Sequence, residues 1–512
     1  MMAATSTGRR AHRKRQARRP NAWLLGLIIG IVGGITLAVT HPAPSVDVIK
    51  VEAADWYTKM HDLVASDNQV SGSATSGDPQ IYATPPVSLP PEADTDANMA
   101  EFVDVTAPQP SADELGAALD EEITDMEYTH RLRVADVASG DVLYDAGGED
   151  AIVPASTLKL FTGVSVLEQL GTDHRFVTSA GYDPATGVML IGGGDGMLST
   201  GESTGRTMGR AGLGDLAQET WDAIADQLPE GQTTIDVWAD VSRYAQPRVH
   251  PSWNEGLMTS GWVSPVYPMN TYGGFISNPF YDKTAVEDGA VSAGGVFAQR
   301  LSELAQADGQ AVEFQYAGQR SQPTQTELVA EVHSARLGQQ LEYAMKQSNN
   351  MLFEIFGREA AIAAGNSPDF QGSTQTTMAT LQELGISTEH LNVVDSSGLS
   401  PNSRATLESM IQLYDVAIDD AHLRPVVHSL TIAGYDGTMR NRLAEAPYSG
   451  IVRSKTGTLE VASSNAGMTV TADGRALWFA VNTSGAGEDY AGARAEQDRL
   501  TQVLTDCGCS GE

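Results

Sequence analysis

The chain has 512 residues, of which 41% are hydrophobic and 19% charged, and its formal net charge is −33; that is room for about three domains with a sizeable core. The charge is uneven: residues 1–20 hold seven of the 32 basic residues and no acid, so the remainder carries 25 basic against 65 acidic residues, a net −40. A body of that sign repels nucleic acid, so a nucleic-acid partner is excluded and the acidity reads as solubility.

Residues 1–21 are a basic tail, followed by "AWLLGLIIGIVGGITLAVT", Ala22 to Thr40, without a single charge. Nineteen such residues are long enough to span a bilayer. Arginine-rich flanks stay in the cytoplasm, so the rest of the chain is expected outside it. A cleaved signal peptide is the rival reading, but "AVTHPAP" offers no clean small-x-small site, so an uncleaved anchor at 22–40 is preferred. In the cleaved case the body would be secreted. Residues 41–110 are rich in Pro, Ser, Thr, Asp and Ala and read as an acidic, self-repelling tether. Within it "VEAADWYTKMHDLV" can form a short helix.

Order is expected from "SADELGAALDEEI", where Ser111 and Glu114 make a capping-box pattern and Leu115, Leu119 and Ile123 fall on one helix face. "HRLRVADVASGDVLYDAG" reads as two strands joined at Ser139-Gly140. "PASTLKLFTG" then opens an apolar helix ended by Gly171. The middle, 175–330, reads as an inserted mixed α/β domain. "GVMLIGGGDGML" and "TTIDVWADVSRY" are its strands, and "GLGDLAQETWDAIADQL" and "GVFAQRLSELAQADG" its helices. Two helices follow, one carrying Leu337, Leu341 and Met345, the next running from Met351 to about Ala364. "GIVRSKTGTL", "NAGMTVTADG" and "RALWFAVNTS" are three late strands, with a hairpin at Asp473-Gly474. Two early and three late strands make one antiparallel five-stranded sheet covered by helices, built from 111–174 and 331–512. The chain ends in "DCGCSGE"; its only cysteines, Cys507 and Cys509, allow at best a strained disulfide. A body otherwise free of thiols suits an oxidising exterior. The ten histidines show no zinc spacing, and no metal or other cofactor is assigned.

Three short motifs occur in order along this scaffold: Ser156-x-x-Lys159, Ser348-Asn349-Asn350 and Lys455-Thr456-Gly457, the last followed by Thr458. Each alone is a helix start, a turn or an ordinary strand. Together they form the SxxK, SDN and KTG set of penicillin-binding proteins and related β-lactamases. The chain resembles the D-alanyl-D-alanine carboxypeptidases and endopeptidases of the class C, low-molecular-mass penicillin-binding proteins, from near Ser111 to the end. "VVDSSGLSPNSRAT" is similar to that family's D-G-S-G-L-S segment, "AGYDGTMRNRL" to its A-G-x-D-G-T-L stretch, and "GIVRSKTGTL" to its G-x-V-R-A-K-T-G-T-L. The separation of 189 residues from Lys159 to Ser348 exceeds the interval of class A β-lactamases, an interval that this family fills with inserted domains. Asn349 departs from the usual S-D-N and is expected to tune the turn.

The resemblance implies a serine β-lactamase/transpeptidase-like α/β fold with an inserted domain; the single transmembrane helix expected before it, at 22–40, rests on the charge-free stretch alone and lies outside what the resemblance supports. It implies hydrolysis of the terminal D-alanine from peptidoglycan stem peptides through an acyl-enzyme, with β-lactams as covalent inhibitors. Ser156 is the nucleophile. Lys159, one helical turn on, can accept its proton only as a neutral amine, and burial together with a Lys455 cation across the cleft would lower its pKa. The N–H groups of Ser156 and Thr458 form the oxyanion hole. Ser348 relays a proton between Lys159 and the leaving D-alanine nitrogen, Asn350 holds a substrate amide, Lys455 and Thr456 hold the terminal carboxylate, and Gly457 lets the substrate lie against the strand edge. Asp395, Ser396, Ser397, Gly398, Asp436 and Arg440 are expected to shape turns. A serine β-lactamase and a penicillin-binding sensor that does not turn over are the competing functions. No dedicated water-activating Glu marks the former, and the intact Ser156, Lys159, Ser348 and Lys455 argue against the latter.

Overall fold

The computed structural model of the chain describes residues 106–277 and 284–508. The basic tail, the anchor at 22–40, the short helix at 51–64 and nearly all of the tether lie outside the described residues. Among the described residues no helix is long and apolar enough to cross a membrane.

Helix α1 (Ala112–Thr124) starts at Ser111, whose hydroxyl accepts the N–H of Glu114, and buries Leu115 and Leu119. Strands β1 (Thr129–Asp136) and β2 (Val142–Ala146) follow. A 3₁₀ turn, Ala155–Leu158, runs straight into α2 (Lys159–Leu170), which stops at Gly171 with φ +77°. Next come β3 (Val177–Asp183), β4 (Gly187–Ile191), β5 (Asp195–Leu198), α3 (Leu213–Ile224), β6 (Thr234–Asp240), β7 (Met269–Thr271), α4 (Gly289–Ala307), β8 (Glu313–Gln319) and β9 (Glu327–His333). Helices α5 (Leu337–Gln347), α6 (Asn350–Ala363), α7 (Phe370–Glu383) and α8 (Leu407–Asp419) lead to β10 (Thr431–Ile432), β11 (Arg453–Leu459), β12 (Ala462–Val470), β13 (Ala476–Ser484) and the last helix, α9 (Tyr490–Asp506).

The strands at the two ends of this order join in one sheet, β10-β11-β12-β13-β1-β2, antiparallel throughout. The sheet therefore has six strands, one more than the sequence indicated. The extra strand, β10, pairs Thr431 with Ser454 and Ile432 with Arg453, and two residues carry no alternation to detect. Strand β13 shows why the sheet is covered on both faces. Trp478 and Ala480 point into a core shared with α2, α6 and α8, while Leu477, Phe479 and Val481 point into one shared with α1 and α9.

A second sheet, β8-β6-β4-β3-β9, is mixed: β3 runs antiparallel to β4 and β9, whereas β4–β6 and β6–β8 are parallel. Helices α3 and α4 connect those parallel strands and bury Leu216, Trp221, Phe297 and Leu301 against the sheet. The stretch "GVMLIGGGDGML" is two strands, not one. At Gly193 a side chain would meet the Val177 carbonyl at 1.7 Å, and Gly194 has φ +102°, so the chain turns there and β5 pairs with β7 in a separate ladder.

Candidate active site

The turn that carries Ser156 is held from beneath. Ala155 has φ +49°, unusual for a residue with a side chain. The Thr157 hydroxyl donates to the Pro154 carbonyl at 2.7 Å. Gly398 packs directly against the turn: a Cβ there would lie 1.9 Å from the Ala155 oxygen and 3.1 Å from Leu158 Cβ. The segment Asp395–Ser400 therefore shapes this turn, as expected. Asp395 accepts the N–H groups of Gly398 and Ser400 at 2.8 and 2.7 Å and the indole N–H of Trp253 at 2.8 Å. Glu354 accepts the N–H of Ser396 and Ser397. Burial, and then the charge of Asp395, raise its pKa. Closed off from solvent and committed to two backbone donors, Glu354 is in no position to activate water.

Lys159 is fully buried. Its Nζ lies 2.9 Å from Ser156 Oγ, 2.6 Å from Asn350 Oδ1 and 2.5 Å from the Ser397 carbonyl oxygen. Burial pushes its pKa down to about 7, against the opposing pull of Asp395 and Glu354. A neutral amine has two N–H bonds and one lone pair. Asn350 Oδ1 and the Ser397 carbonyl can only accept, so they take the two N–H bonds and leave the lone pair for the Ser156 proton. The expected push from a Lys455 cation is not what lowers Lys159; burial is. The charge effect between the lysines is felt by Lys455, which burial and then Lys159 hold well below the ordinary lysine value.

The second motif sits between α5 and α6. Ser348 caps α5 in the left-handed region, φ 51° and ψ 39°, which reverses the chain and sends its hydroxyl toward β11. There it lies 2.9 Å from Lys455 Nζ. Among the described residues no hydrogen bond joins Ser348 to Lys159, the partner anticipated for a relay. Asn349 caps α6: its Oδ1 accepts the Leu352 N–H at 2.9 Å and its Nδ2 donates to the Gly273 carbonyl at 3.0 Å. Asn350 Nδ2 donates one N–H to the Trp262 carbonyl at 2.7 Å. Its second N–H has no partner among the described residues.

Strand β11 brings the third motif against the first. A Cβ on Gly457 would lie 2.7 Å from Ser156 N and 2.8 Å from the Pro154 oxygen, so only glycine permits this approach. Lys455 is fully buried, and its Nζ also donates to the Thr456 carbonyl at 2.7 Å. Pairing with β10 ends at Ser454, which leaves the β11 edge open from Lys455 onward. Alternation along the strand sets the main-chain groups of Thr456 and Thr458 on the same edge, so the Thr458 N–H shares the edge on which the Thr456 carbonyl meets Lys455. The side chains of Thr456 and Thr458 also have outside partners: Thr456 Oγ1 donates to Thr438 Oγ1 at 2.8 Å, and Arg494 Nη2 donates to Thr458 Oγ1 at 3.3 Å.

Ser156, Lys159, Ser348, Asn350, Lys455, Thr456, Gly457 and Thr458 are thus brought together at the junction of α2, the α5–α6 turn and β11. Asp436 stays a turn residue, accepting the Ile432 N–H and pairing with Lys346 at 2.8 Å, and Arg440 is exposed. The sequence reading missed the carbonyls of Ser397 and Trp262, along with Thr438 and Arg494. A main-chain carbonyl leaves no mark on residue type, though the quoted "DSSGLS" segment contains Ser397. Cys507 is disulfide-bonded and far along the chain from every motif.

Comparison with known proteins places the chain in a family. The model of the D-Ala-D-Ala carboxypeptidase 3 (S13) family matches residues 115–284 and 273–506. The chain is similar to carboxypeptidase DacB of Mycolicibacterium smegmatis, 31% identical over 439 residues that cover 83% of this chain and 91% of that one. It is similar to a D-alanyl-D-alanine carboxypeptidase of Actinomadura, 26% identical over 69% of this chain and 77% of the relative. Among solved structures, penicillin binding protein 4 of Haemophilus influenzae aligns with a TM-score of 0.59 at 18% identity, covering 76% of this chain and 99% of that one.

Proposed function

The chain belongs to the D-Ala-D-Ala carboxypeptidase 3 (S13) family and is a penicillin-sensitive serine D-Ala-D-Ala carboxypeptidase; on that premise we propose how its residues divide the reaction. The substrate is a peptidoglycan stem peptide ending in D-Ala-D-Ala. Ser156 Oγ attacks the carbonyl of the penultimate D-alanine while its proton passes to the neutral Lys159. The N–H groups of Ser156 and Thr458 hold the oxyanion. Lys455 and Thr456 hold the terminal carboxylate, for which the Thr456 hydroxyl turns away from Thr438. The free N–H of Asn350 holds a peptide carbonyl. The carboxylate also restores positive charge to Lys455, and that cation favours the neutral form of Lys159. The C–N bond breaks as the leaving nitrogen takes a proton from the Ser348 hydroxyl, which is reprotonated from the lysine pair. Water, deprotonated by Lys159, then releases the acyl group and regenerates Ser156. A β-lactam enters the same first step and remains bound to Ser156.

The observation that carries this reading is the placement of Lys159 Nζ: two acceptor-only oxygens and the Ser156 hydroxyl around a fully buried amine. We also propose that the catalytic body lies outside the cytoplasm, tethered through 22–40 with the N-terminus inside. The arginine-rich head before nineteen uncharged residues supports this. One experiment addresses both. Cells expressing the chain are labelled with a fluorescent penicillin, fractionated, and the adduct mapped by mass spectrometry. The adduct is expected on Ser156, in the membrane fraction, and absent from Ser156→Ala. An adduct on another residue overturns the nucleophile, and label confined to the soluble cytoplasm overturns the tether.

A further inference from the structure

Arg494 stands on α9, outside all three motifs, yet its guanidinium reaches the site strand and donates to Thr458 Oγ1. The nearby carboxylate is already taken: Arg442 uses Nε and Nη2 on both oxygens of Asp498, at 2.8 to 3.2 Å. Arg442 also donates to the Arg494 main-chain carbonyl at 3.3 Å. Among the described residues no carboxylate forms an ion pair with Arg494. A solvent-facing cation with no ion-pair partner among the described residues, its only side-chain hydrogen bond among them the one to Thr458, therefore sits beside the oxyanion-side end of β11.

The two threonines of that strand point their side chains to one face but are engaged differently. Thr456 donates its hydroxyl proton to Thr438 and must turn away from it to meet a carboxylate. Thr458 accepts from Arg494, so its own proton remains to be donated. A hydroxyl that accepts from a cation is a pre-aimed donor for an anion.

We propose that Arg494, acting through and alongside Thr458, recognises the free C-terminal carboxylate of the substrate and selects it over an amidated or esterified terminus. This deepens the carboxypeptidase reading above and rests on it. Arg494 is a positioning and specificity residue and takes no part in bond making. A carboxylate that accepts from Thr458 lies within about 6 Å of the guanidinium, a separation at which a partly screened charge pair is worth about tenfold in binding.

The test compares wild type, Arg494→Gln and Arg494→Lys on an N-acylated Lys-D-Ala-D-Ala peptide and on its C-terminal amide. In Arg494→Gln the wild-type preference for the acid over the amide in kcat/KM is expected to fall about tenfold, through KM for the acid, with the amide unaffected. Arg494→Lys is expected to restore most of the preference. Equal loss on both peptides, or an unchanged ratio, overturns the proposal. A wild-type protein that cleaves neither peptide would overturn the carboxypeptidase reading instead. Arg494 is then decided by acylation rates with benzylpenicillin and its methyl ester, whose ratio is expected to fall in Arg494→Gln and whose constancy would refute the assignment. Undiminished acylation by the ester shows that the variant is folded.

Discussion

Ser156 and Lys159 were legible because a helix sets residues three apart on one face, so their meeting follows from spacing alone. What spacing does not reveal is the protonation state, which depends on the Ser397 carbonyl and Asn350 Oδ1 arriving from segments far along the chain. The two cleft lysines now differ in a checkable way. Lys159 has both N–H bonds and its lone pair assigned, so a group that never deprotonates has no use there. Lys159→Arg is expected to lower penicillin acylation by on the order of 10²-fold or more. Lys455 meets only Ser348 and the Thr456 carbonyl. Lys455→Arg keeps the charge and should retain measurable acylation at high substrate, with weakened recognition. In wild type the base form of Lys159 grows as pH rises through about 7. The acylation rate is therefore expected to climb about tenfold per pH unit well below 7 and to level off above it. Stopped-flow acylation against pH for the three proteins checks this. Equal losses in the two mutants, or a flat profile from pH 5 to 8, would remove the distinction between the lysines.

Among the elements, long periodic helices and the Asp473-Gly474 hairpin were readable, since Leu115 and Leu119 or the turn residues mark them directly. The glycine run at 192–194 was misjudged because what breaks the strand is a tertiary approach, the Val177 carbonyl against Gly193. Asn349 is the most informative case. As a departure from S-D-N it appeared only to tune a turn. In the fold it does two jobs, capping α6 with Oδ1 and clasping Gly273 with Nδ2. Aspartate would serve the cap equally well. It has no donor for Gly273, however, and would set a carboxylate oxygen against a carbonyl in a nearly closed site. Asn349→Asp is expected to lose about 1–3 kcal/mol of stability, the range for leaving a buried polar group unmatched. Chemical denaturation followed by tryptophan fluorescence measures it. A midpoint equal to or above wild type would show that the Gly273 contact contributes nothing and that the family's usual aspartate suits this turn as well.

That early and late strands share one sheet was legible from their grouping at the two ends of the chain, but which of them pair was not, because the decisive pairing is also the longest in sequence. β1 lies beside β13 with Thr129 opposite Ser484 and Asp136 opposite Leu477, and nothing in either strand names the other. One ion pair secures that closure. The Arg475 guanidinium, at the start of β13, donates to both oxygens of Asp136 at 2.5 and 2.8 Å and to the Ala107 carbonyl at 3.0 Å. Asp136 also accepts the N–H groups of Ala138 and Ser139, and it is fully buried. Burial pushes the Asp136 pKa up, but the Arg475 hydrogen bond, the two backbone N–H groups and the guanidinium charge outweigh it and hold the carboxyl below the usual aspartate range. A depressed folded-state pKa adds stability above the unfolded value of about 4, and that stability is lost as pH falls through the folded value. Arg475→Met strands a buried carboxylate, so a loss of about 3–5 kcal/mol is expected at pH 7. In the variant, Asp136 would be driven to protonate, reversing the sign: mild acid should then narrow the gap to wild type instead of leaving it constant. Urea midpoints for both proteins at pH 7 and pH 5 decide it. A variant within 1 kcal/mol of wild type at pH 7 would mean that the sheet closes by its hydrophobic faces alone, with Phe479 and Trp478 on opposite sides of β13 carrying the closure.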